Sequence, residues 1–131
     1  MKTQNYSEKK KFSIVARAKS MTHAFRGLYI LFKTQHNFWI HLTATVLVIV
    51  LGFVYKLNEA EWGILVLTII GVLVTEAINT SIEIDMDLTS PDYHPYAKDS
   101  KDVAAGAVLL ATIGAVIIGL IIFLPKMLAG L

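Results

Sequence analysis

The fold of this chain is decided by residues 62–87, which read WGILVLTIIGVLVTEAINTSIEIDMD. Residues 62–75 carry no charged side chain. The polar residues that follow recur at i, i+3, i+4, i+7 and i+11, and they are Glu76, Asn79, Thr80, Glu83 and Asp87. This spacing predicts one face of an α-helix. A carboxylate at the edge of hydrocarbon costs about 2.5–3.5 kcal/mol even on a mild insertion scale, which makes it a candidate functional residue. We therefore expect a membrane-spanning helix that ends in a stripe for a charged ligand.

The composition indicates a small integral membrane protein. The chain has 131 residues, of which 55% are hydrophobic, and it contains no cysteine. A soluble domain of this length is rarely so apolar, and the length allows one compact domain, 1–131. The absence of cysteine excludes disulfide bonds and thiol chemistry.

Three apolar segments are each close to the length of about 20 residues that a helix needs to cross a bilayer. We predict transmembrane helices over 38–55, 62–84 and 103–124, the last of them stopped by Pro125. The polar residues 88–101 are predicted to form a loop, because Ser90, Pro91 and Asp92 favour a turn.

An amphipathic surface helix is predicted over residues 12–34, before the first span. Its apolar positions alternate in steps of four and three, and they are Ile14, Ala18, Met21, Phe25, Leu28 and Phe32. Basic residues flank this stripe, so we expect the helix to lie in the membrane interface. The fold class is thus an all-α integral membrane protein, with one surface helix and three transmembrane helices.

The distribution of basic residues predicts the topology. Most of the Lys and Arg residues precede residue 34 or lie in the predicted loop, whereas Lys56 and Lys126 fall on the opposite side. The positive-inside rule places the N-terminus and the polar stripe in the cytoplasm and the C-terminus outside, in the cell membrane. Three helices shield a polar stripe poorly from lipid, which favours a homo-oligomer.

The chemistry is restricted by the motifs that the sequence lacks. It contains neither a Gly-x-x-x-x-Gly-Lys phosphate loop nor a His-Glu-x-x-His metal motif. Carboxylates near Lys98 and Lys101 suit Mg²⁺ bound to a polyphosphate, so phosphoryl transfer to a lipid hydroxyl is one interpretation. The alternative is a polar seam between helices. His41, at the start of the first span, is expected to reach towards the interface.

The polar pattern resembles the prokaryotic diacylglycerol kinase family. The matching residues are Glu76-Ala-Ile-Asn79-Thr80-Ser-Ile-Glu83-x-x-x-Asp87, then Tyr93-His94-Pro95 and Ala97-Lys98-x-x-Lys101-Asp102-x-Ala-Ala-Gly-Ala-Val. The His-Pro and Lys-Asp-x-Ala-Ala-Gly-Ala-Val motifs are most similar to those of the undecaprenol kinase branch. The resemblance implies a homotrimer with active sites shared between chains, which transfers the γ-phosphate of Mg·ATP to a membrane lipid alcohol. No nucleic-acid partner is expected.

The resemblance also implies a role for each matching residue. Glu76 would be the general base on the lipid hydroxyl, and Glu83 would bind Mg²⁺. The remaining candidates would surround ATP, and they are His23, Asn79, Asp87, Asp92, Tyr93, His94, Lys101 and Asp102.

One position departs from the family pattern. The family has a glutamate before the first span that serves as a second metal ligand, whereas this chain has Gln35. An amide oxygen can still bind Mg²⁺ and contact ATP, but it brings no negative charge. We therefore expect weaker metal affinity, or a catalytically silent homologue.

The leading interpretation is an undecaprenol kinase, with diacylglycerol as the alternative acceptor. A small ion- or proton-coupled transporter would also explain a carboxylate such as Glu76 inside a membrane span. That alternative gives no reason for the polar residues 98–102.

Overall fold

The computed structural model describes residues 13–130, and four α-helices occupy nearly all of that range. They are α1 (Ile14–Thr34), α2 (His36–Val54), α3 (Glu59–Thr89) and α4 (Pro95–Ala129). The predicted all-helical fold is confirmed within these residues, and α2, α3 and α4 are each long and apolar enough to cross a membrane. Residue 12, the predicted first residue of the surface helix, and the basic residues before it lie outside the described range.

A single residue separates α1 from α2. Ser13 caps α1, because its hydroxyl accepts a hydrogen bond from the Ala16 N–H at 3.3 Å. Gln35 then adopts extended backbone geometry, with φ −107° and ψ 111°, and α2 begins at the next residue. The first apolar helix therefore starts two residues before the predicted position 38.

The turn between α2 and α3 is tightly specified. Asn58 and Glu61 form a capping box, in which the Asn58 Oδ1 accepts from the Glu61 N–H at 2.9 Å and the Glu61 Oε2 accepts from the Asn58 N–H at 2.8 Å. Leu57 packs with Leu65, Ile122 and Phe123 in a buried apolar cluster beside this turn. The cluster fixes the ends of α2, α3 and α4 on the side of the molecule opposite the polar stripe.

The predicted loop 88–101 is wrong in extent, since only residues 90–94 are non-helical. α3 continues to Thr89, and α4 begins at Pro95. Proline suits the first position of a helix because its missing N–H would have no partner there and its φ angle is already helical. The ion pair between Lys98 and Asp102 stabilises the polar first turns of α4. The polar composition of this segment therefore reflects a solvent-exposed helix start and not a loop.

Pro125 does not stop α4 as predicted, because the helix continues to Ala129. The residues on either side of the proline hold this last turn in place. Phe123 is buried, and the Lys126 Nζ lies 3.0 Å from the Glu61 Oε1 at the start of α3. These contacts offset the backbone hydrogen bond that the proline cannot donate.

α3 is the central helix of the described chain. It packs along α4, and it also contacts α2 and α1. Its buried residues include three polar ones, Glu76, Asn79 and Thr80. The fold therefore encloses the inner half of the predicted polar stripe within a single chain.

Candidate functional site

The polar stripe of α3 runs from a buried end to an exposed end. Glu76 is only 1% exposed, Glu83 is half-buried, and Asp87 is exposed. The Asn79 Nδ2 donates to the Glu83 Oε1 at 3.1 Å, and the Thr80 hydroxyl donates to the Glu76 carbonyl at 3.0 Å. One helix thus carries both a carboxylate enclosed among apolar side chains and carboxylates that water can reach.

Two buried oxygen atoms of this stripe have no hydrogen-bond partner among the residues that the structure describes. They are the Glu76 Oε2 and the Asn79 Oδ1. A buried polar atom without a partner is costly, and native proteins usually pair such atoms with protein, water or a ligand. The two oxygens therefore mark where a bound cation or a hydrogen-bond donor would be stabilised.

The exposed end of the stripe opens into a polar cleft between α3 and α4. The cleft has a volume of about 450 Å³. Six of the residues proposed to surround ATP line it, and they are Asp87, Asp92, Tyr93, His94, Lys101 and Asp102. The Lys101 Nζ crosses from α4 to the Asp87 Oδ1 at 2.8 Å. The structure therefore brings together residues that are separated along the chain by the turn at 90–94.

Glu76, Asn79 and Glu83 lie on the polar stripe of α3 and do not line this cleft. Two further proposed site residues lie on neither the stripe nor the cleft. His23 lies on the exposed α1, and Gln35 lies at the junction of α1 and α2. Neither lines the cleft. A single chain thus assembles the centre of the predicted site without these two members.

The oxygen ligands available for Mg²⁺ are few in one chain. Within residues 13–130, no group of three or more His, Cys, Asp or Glu side chains is placed to hold a metal ion. Glu83 and Asn79 are neighbours, joined by the hydrogen bond from the Asn79 Nδ2 to the Glu83 Oε1, and the Asn79 Oδ1 has no hydrogen-bond partner among residues 13–130. Such hard oxygen donors fit Mg²⁺, which usually binds to one or two carboxylates and to substrate phosphates.

His41 is the residue that sequence reasoning missed. Its Nε2 lies 3.8 Å from the Glu76 Oε2, so the side chain contacts α3. The spacing along the chain gave no hint of this contact, because the two residues lie on different helices. The available signal was that, beyond its first residue, α2 has no other ionisable side chain.

The chain matches a known family and several characterised proteins. The family described as prokaryotic diacylglycerol kinase matches residues 22–123. The undecaprenol kinase of Bacillus subtilis is 44% identical over 109 residues, which cover 83% of this chain and 89% of the relative. A Synechocystis diacylglycerol kinase is 42% identical over 84% of this chain and 63% of its own length. A Helicobacter pylori diacylglycerol kinase is 32% identical over 78% of this chain and 85% of its own length.

The family match covers the polar stripe of α3, the cleft and most of α4, and the relatives reach well above 30% identity over most of the chain. The resemblance noted from the sequence is therefore confirmed. The chain belongs to the prokaryotic diacylglycerol kinase family of lipid kinases.

Proposed function

We propose that this protein transfers the γ-phosphate of Mg·ATP to the hydroxyl of undecaprenol in the cell membrane, with diacylglycerol as the second candidate acceptor. The similarity to the Bacillus subtilis undecaprenol kinase supports the first acceptor, and the similarity to the diacylglycerol kinases supports the second. Both acceptors share a primary alcohol held by an apolar tail.

The observation that carries this proposal is the change of environment along α3. Glu76 lies in the apolar interior, and Asp87 borders the open cleft. The two positions are about 16 Å apart along the helix axis at the standard rise per residue. A lipid alcohol can approach the buried end while a nucleotide occupies the polar end.

We assign Glu76 as the general base. Its carboxylate would take the proton of the lipid hydroxyl as the hydroxyl oxygen bonds to the γ-phosphorus. The bond between the γ-phosphorus and the oxygen that bridges to the β-phosphate would break, leaving ADP and the lipid phosphate. Phosphoryl transfer of this kind depends mainly on positioning and on charge neutralisation.

The cleft residues would hold the nucleotide. Lys101 carries a positive charge beside the carboxylate of Asp87, so it can contact phosphate oxygens. Tyr93 and His94 lie on the turn before α4 and line the cleft, where their rings could contact the nucleotide base. Asp92 and Asp102 would hold the loop in position. They would also orient the ribose or the phosphate groups of a nucleotide bound between the two residues.

Glu83 and Asn79 would hold Mg²⁺, and Gln35 would add a neutral oxygen ligand. Mg²⁺ held by these residues would supply positive charge against the negative charge that develops on the phosphate oxygens. Gln35 does not line the cleft of its own chain. A homotrimer whose sites are shared between neighbours would allow Gln35 and His23 to complete a site.

The membrane arrangement is part of the proposal. α1 carries Lys19, Arg26 and Lys33 beside its apolar residues, which suits an amphipathic helix lying on the cytoplasmic surface. The cleft would then face cytoplasmic ATP, and the C-terminal end of α4 would face outward. This orientation agrees with the excess of basic residues before α2.

The test is a transfer assay on purified protein in lipid vesicles. The vesicles would contain either undecaprenol or diacylglycerol, with Mg²⁺ and ATP labelled at the γ-phosphate. We expect labelled lipid phosphate with both acceptors and a higher kcat/KM with undecaprenol. Absence of transfer to either lipid would overturn the proposal, and cation flux without nucleotide would instead support the transporter alternative.

A further inference from the structure

The contact between α2 and α3 at His41 and Glu76 has no role in the function proposed so far. The His41 Nε2 lies 3.8 Å from the Glu76 Oε2, and the side chains are 15% and 2% exposed. Among residues 13–130, no other basic side chain forms an ion pair with Glu76. His41 therefore approaches an enclosed carboxylate oxygen that has no hydrogen-bond partner in the described part of the chain.

We infer that His41 is a positioning residue for Glu76. In this role the His41 Nε2–H donates a hydrogen bond to the Glu76 Oε2. The other carboxylate oxygen is then left to take the proton of the lipid hydroxyl. This inference rests on the proposed function, because it requires Glu76 to act as the base. Either the neutral Nε2–H tautomer or the imidazolium form of a histidine can donate this bond.

The separation of 3.8 Å is slightly longer than a hydrogen bond. An approach of about 0.6–1.1 Å between the two side chains would bring it to the usual range of 2.7–3.2 Å. Catalytic hydrogen bonds are often long without substrate and tighten in the reacting complex, so the distance suits a pair completed when the lipid binds. Closing it would also satisfy the buried Glu76 Oε2, which is costly to leave unpaired.

The surroundings of His41 explain why a polar donor is needed here. His41 lines a cavity of about 220 Å³ between α2, α3 and α4, whose wall is largely apolar and includes Val48, Leu65 and Ile69. Glu76 does not line this cavity. His41 thus contacts both Glu76 and a largely apolar space, in which an ionised group would be strongly disfavoured.

A purely structural role for the pair predicts a different result from a positioning role. A contact that only joins α2 to α3 would change stability and leave turnover by the folded protein unchanged. A positioning contact would change kcat while the KM for ATP stays constant, because the nucleotide cleft lies farther along α3. The kcat and KM effects therefore separate the two roles.

The experiment compares four variants in undecaprenol vesicles with Mg·ATP. His41→Leu removes the donor, His41→Gln restores one at the end of a flexible side chain, and Glu76→Gln removes the base. Thr68→Val is the matched control, because Thr68 lines the same cavity without contacting Glu76. The readouts are kcat, the KM for ATP and the thermal unfolding midpoint of each purified variant.

We expect His41→Leu to lower kcat by about 10- to 100-fold, the usual effect of removing a group that orients another. The KM for ATP should stay unchanged, His41→Gln should recover a large part of kcat, and Thr68→Val should match the wild type. If His41→Leu fails to assemble, His41→Asn replaces it, because the shorter amide keeps polarity but falls short of Glu76. Loss with Asn and recovery with Gln would then support the inference.

Full kcat in His41→Leu would overturn the inference, as would equal losses in the Leu and Gln variants. The Glu76→Gln arm distinguishes this failure from failure of the proposed function. If Glu76→Gln is inactive while His41→Leu is fully active, only the role of His41 is rejected. If Glu76→Gln remains active, the base assignment and the role of His41 are both rejected.

Discussion

The Lys101 Nζ donates a hydrogen bond to the Asp87 Oδ1 over 2.8 Å, and this bond joins the first turns of α4 to the last turns of α3. The two side chains are 38% and 71% exposed. Exposed ion pairs contribute only about 0.2–1 kcal/mol to stability, because water and salt screen them. We therefore expect this pair to matter more for the proposed nucleotide binding than for folding.

Replacing Lys101 by alanine is expected to weaken ATP binding with little effect on stability. Loss of a charge-assisted hydrogen bond to phosphate, worth about 1.5–3 kcal/mol, corresponds to a rise of about 10- to 100-fold in the KM for ATP. Steady-state kinetics at varied ATP would measure this rise, and the unfolding midpoint should change little.

A matched control comes from the same end of α3. Asp85→Asn removes a carboxylate that does not line the cleft, so the KM for ATP should stay at the wild-type value. If Lys101→Ala and Asp85→Asn have the same KM, Lys101 does not contact the nucleotide.

Glu76→Gln is expected to remove turnover while preserving the fold. The amide has nearly the same shape as the carboxylate but cannot accept the proton, so kcat should fall by about 10²- to 10⁴-fold, the usual contribution of a general base. Stability should change little, because the amide keeps the shape of the side chain and its oxygen can still accept a hydrogen bond. Kinetics and thermal unfolding of the purified protein would measure both effects.

Glu59→Gln serves as the control for this change. Glu59 lies in the first turn of the same helix, at the end away from the cleft, and its side chain is exposed. Its removal should leave kcat unchanged and lower stability by about 0.3–1 kcal/mol through the helix dipole. Comparable kcat values in the two variants would exclude Glu76 as the base.

The membrane-spanning helices could be predicted from the sequence, because a long apolar run in a chain of this size has few structures open to it other than a membrane-spanning helix. The stripe from Glu76 to Asp87 could also be placed on one face, because helical spacing alone determines it. The extent of α4 was harder to predict. Residues 98–102 are polar, and polarity does not distinguish a solvated helix from a loop unless the start at Pro95 is recognised.

The partner of Glu76 could not be predicted for a different reason. His41 and Glu76 meet only because α2 packs on α3 in one particular register, and no local pattern encodes that register.

The end of α4 was difficult to predict for a similar reason. Pro125 reads as a stop signal, but the contacts of Phe123 and Lys126 with the rest of the bundle outweigh the local preference.

Gln35→Glu is expected to reduce the Mg²⁺ concentration needed for half-maximal activity. A carboxylate would add a negative charge to the proposed metal site, and metal affinity rises with the charge of the ligands. The half-saturating Mg²⁺ concentration should fall by roughly tenfold, the lower end of the effects seen when groups around a metal are changed. Lipid phosphorylation at graded Mg²⁺ would measure it.

Asn37→Asp adds the same charge two residues later, on the exposed first turn of α2. It should leave the Mg²⁺ dependence unchanged. An equal shift in both variants would indicate a general electrostatic attraction of Mg²⁺, and no shift in Gln35→Glu would remove position 35 from the metal site.

Gly52→Ala is expected to destabilise the bundle at the end away from the cleft. A Cβ atom at this position would lie 2.6 Å from the Trp62 Cη2 and 3.2 Å from the Leu57 Cδ1. The Trp62 ring cannot move away freely, because it packs against Phe53 with ring centroids 4.9 Å apart. Overpacking of this kind costs about 1–3 kcal/mol, and thermal unfolding should show a lower midpoint.

The control for this substitution is Gly63→Ala, one residue after Trp62. A Cβ atom on Gly63 would meet no atom within 4 Å, so alanine should gain up to about 1 kcal/mol from its higher helix propensity. The two substitutions add the same methyl group to neighbouring helices, and they should shift the midpoint in opposite directions. A rise in the midpoint of Gly52→Ala would mean that Trp62 does not pack against α2 as closely as described. kcat should remain unchanged in both variants, because Glu76 and the nucleotide cleft lie farther along α3.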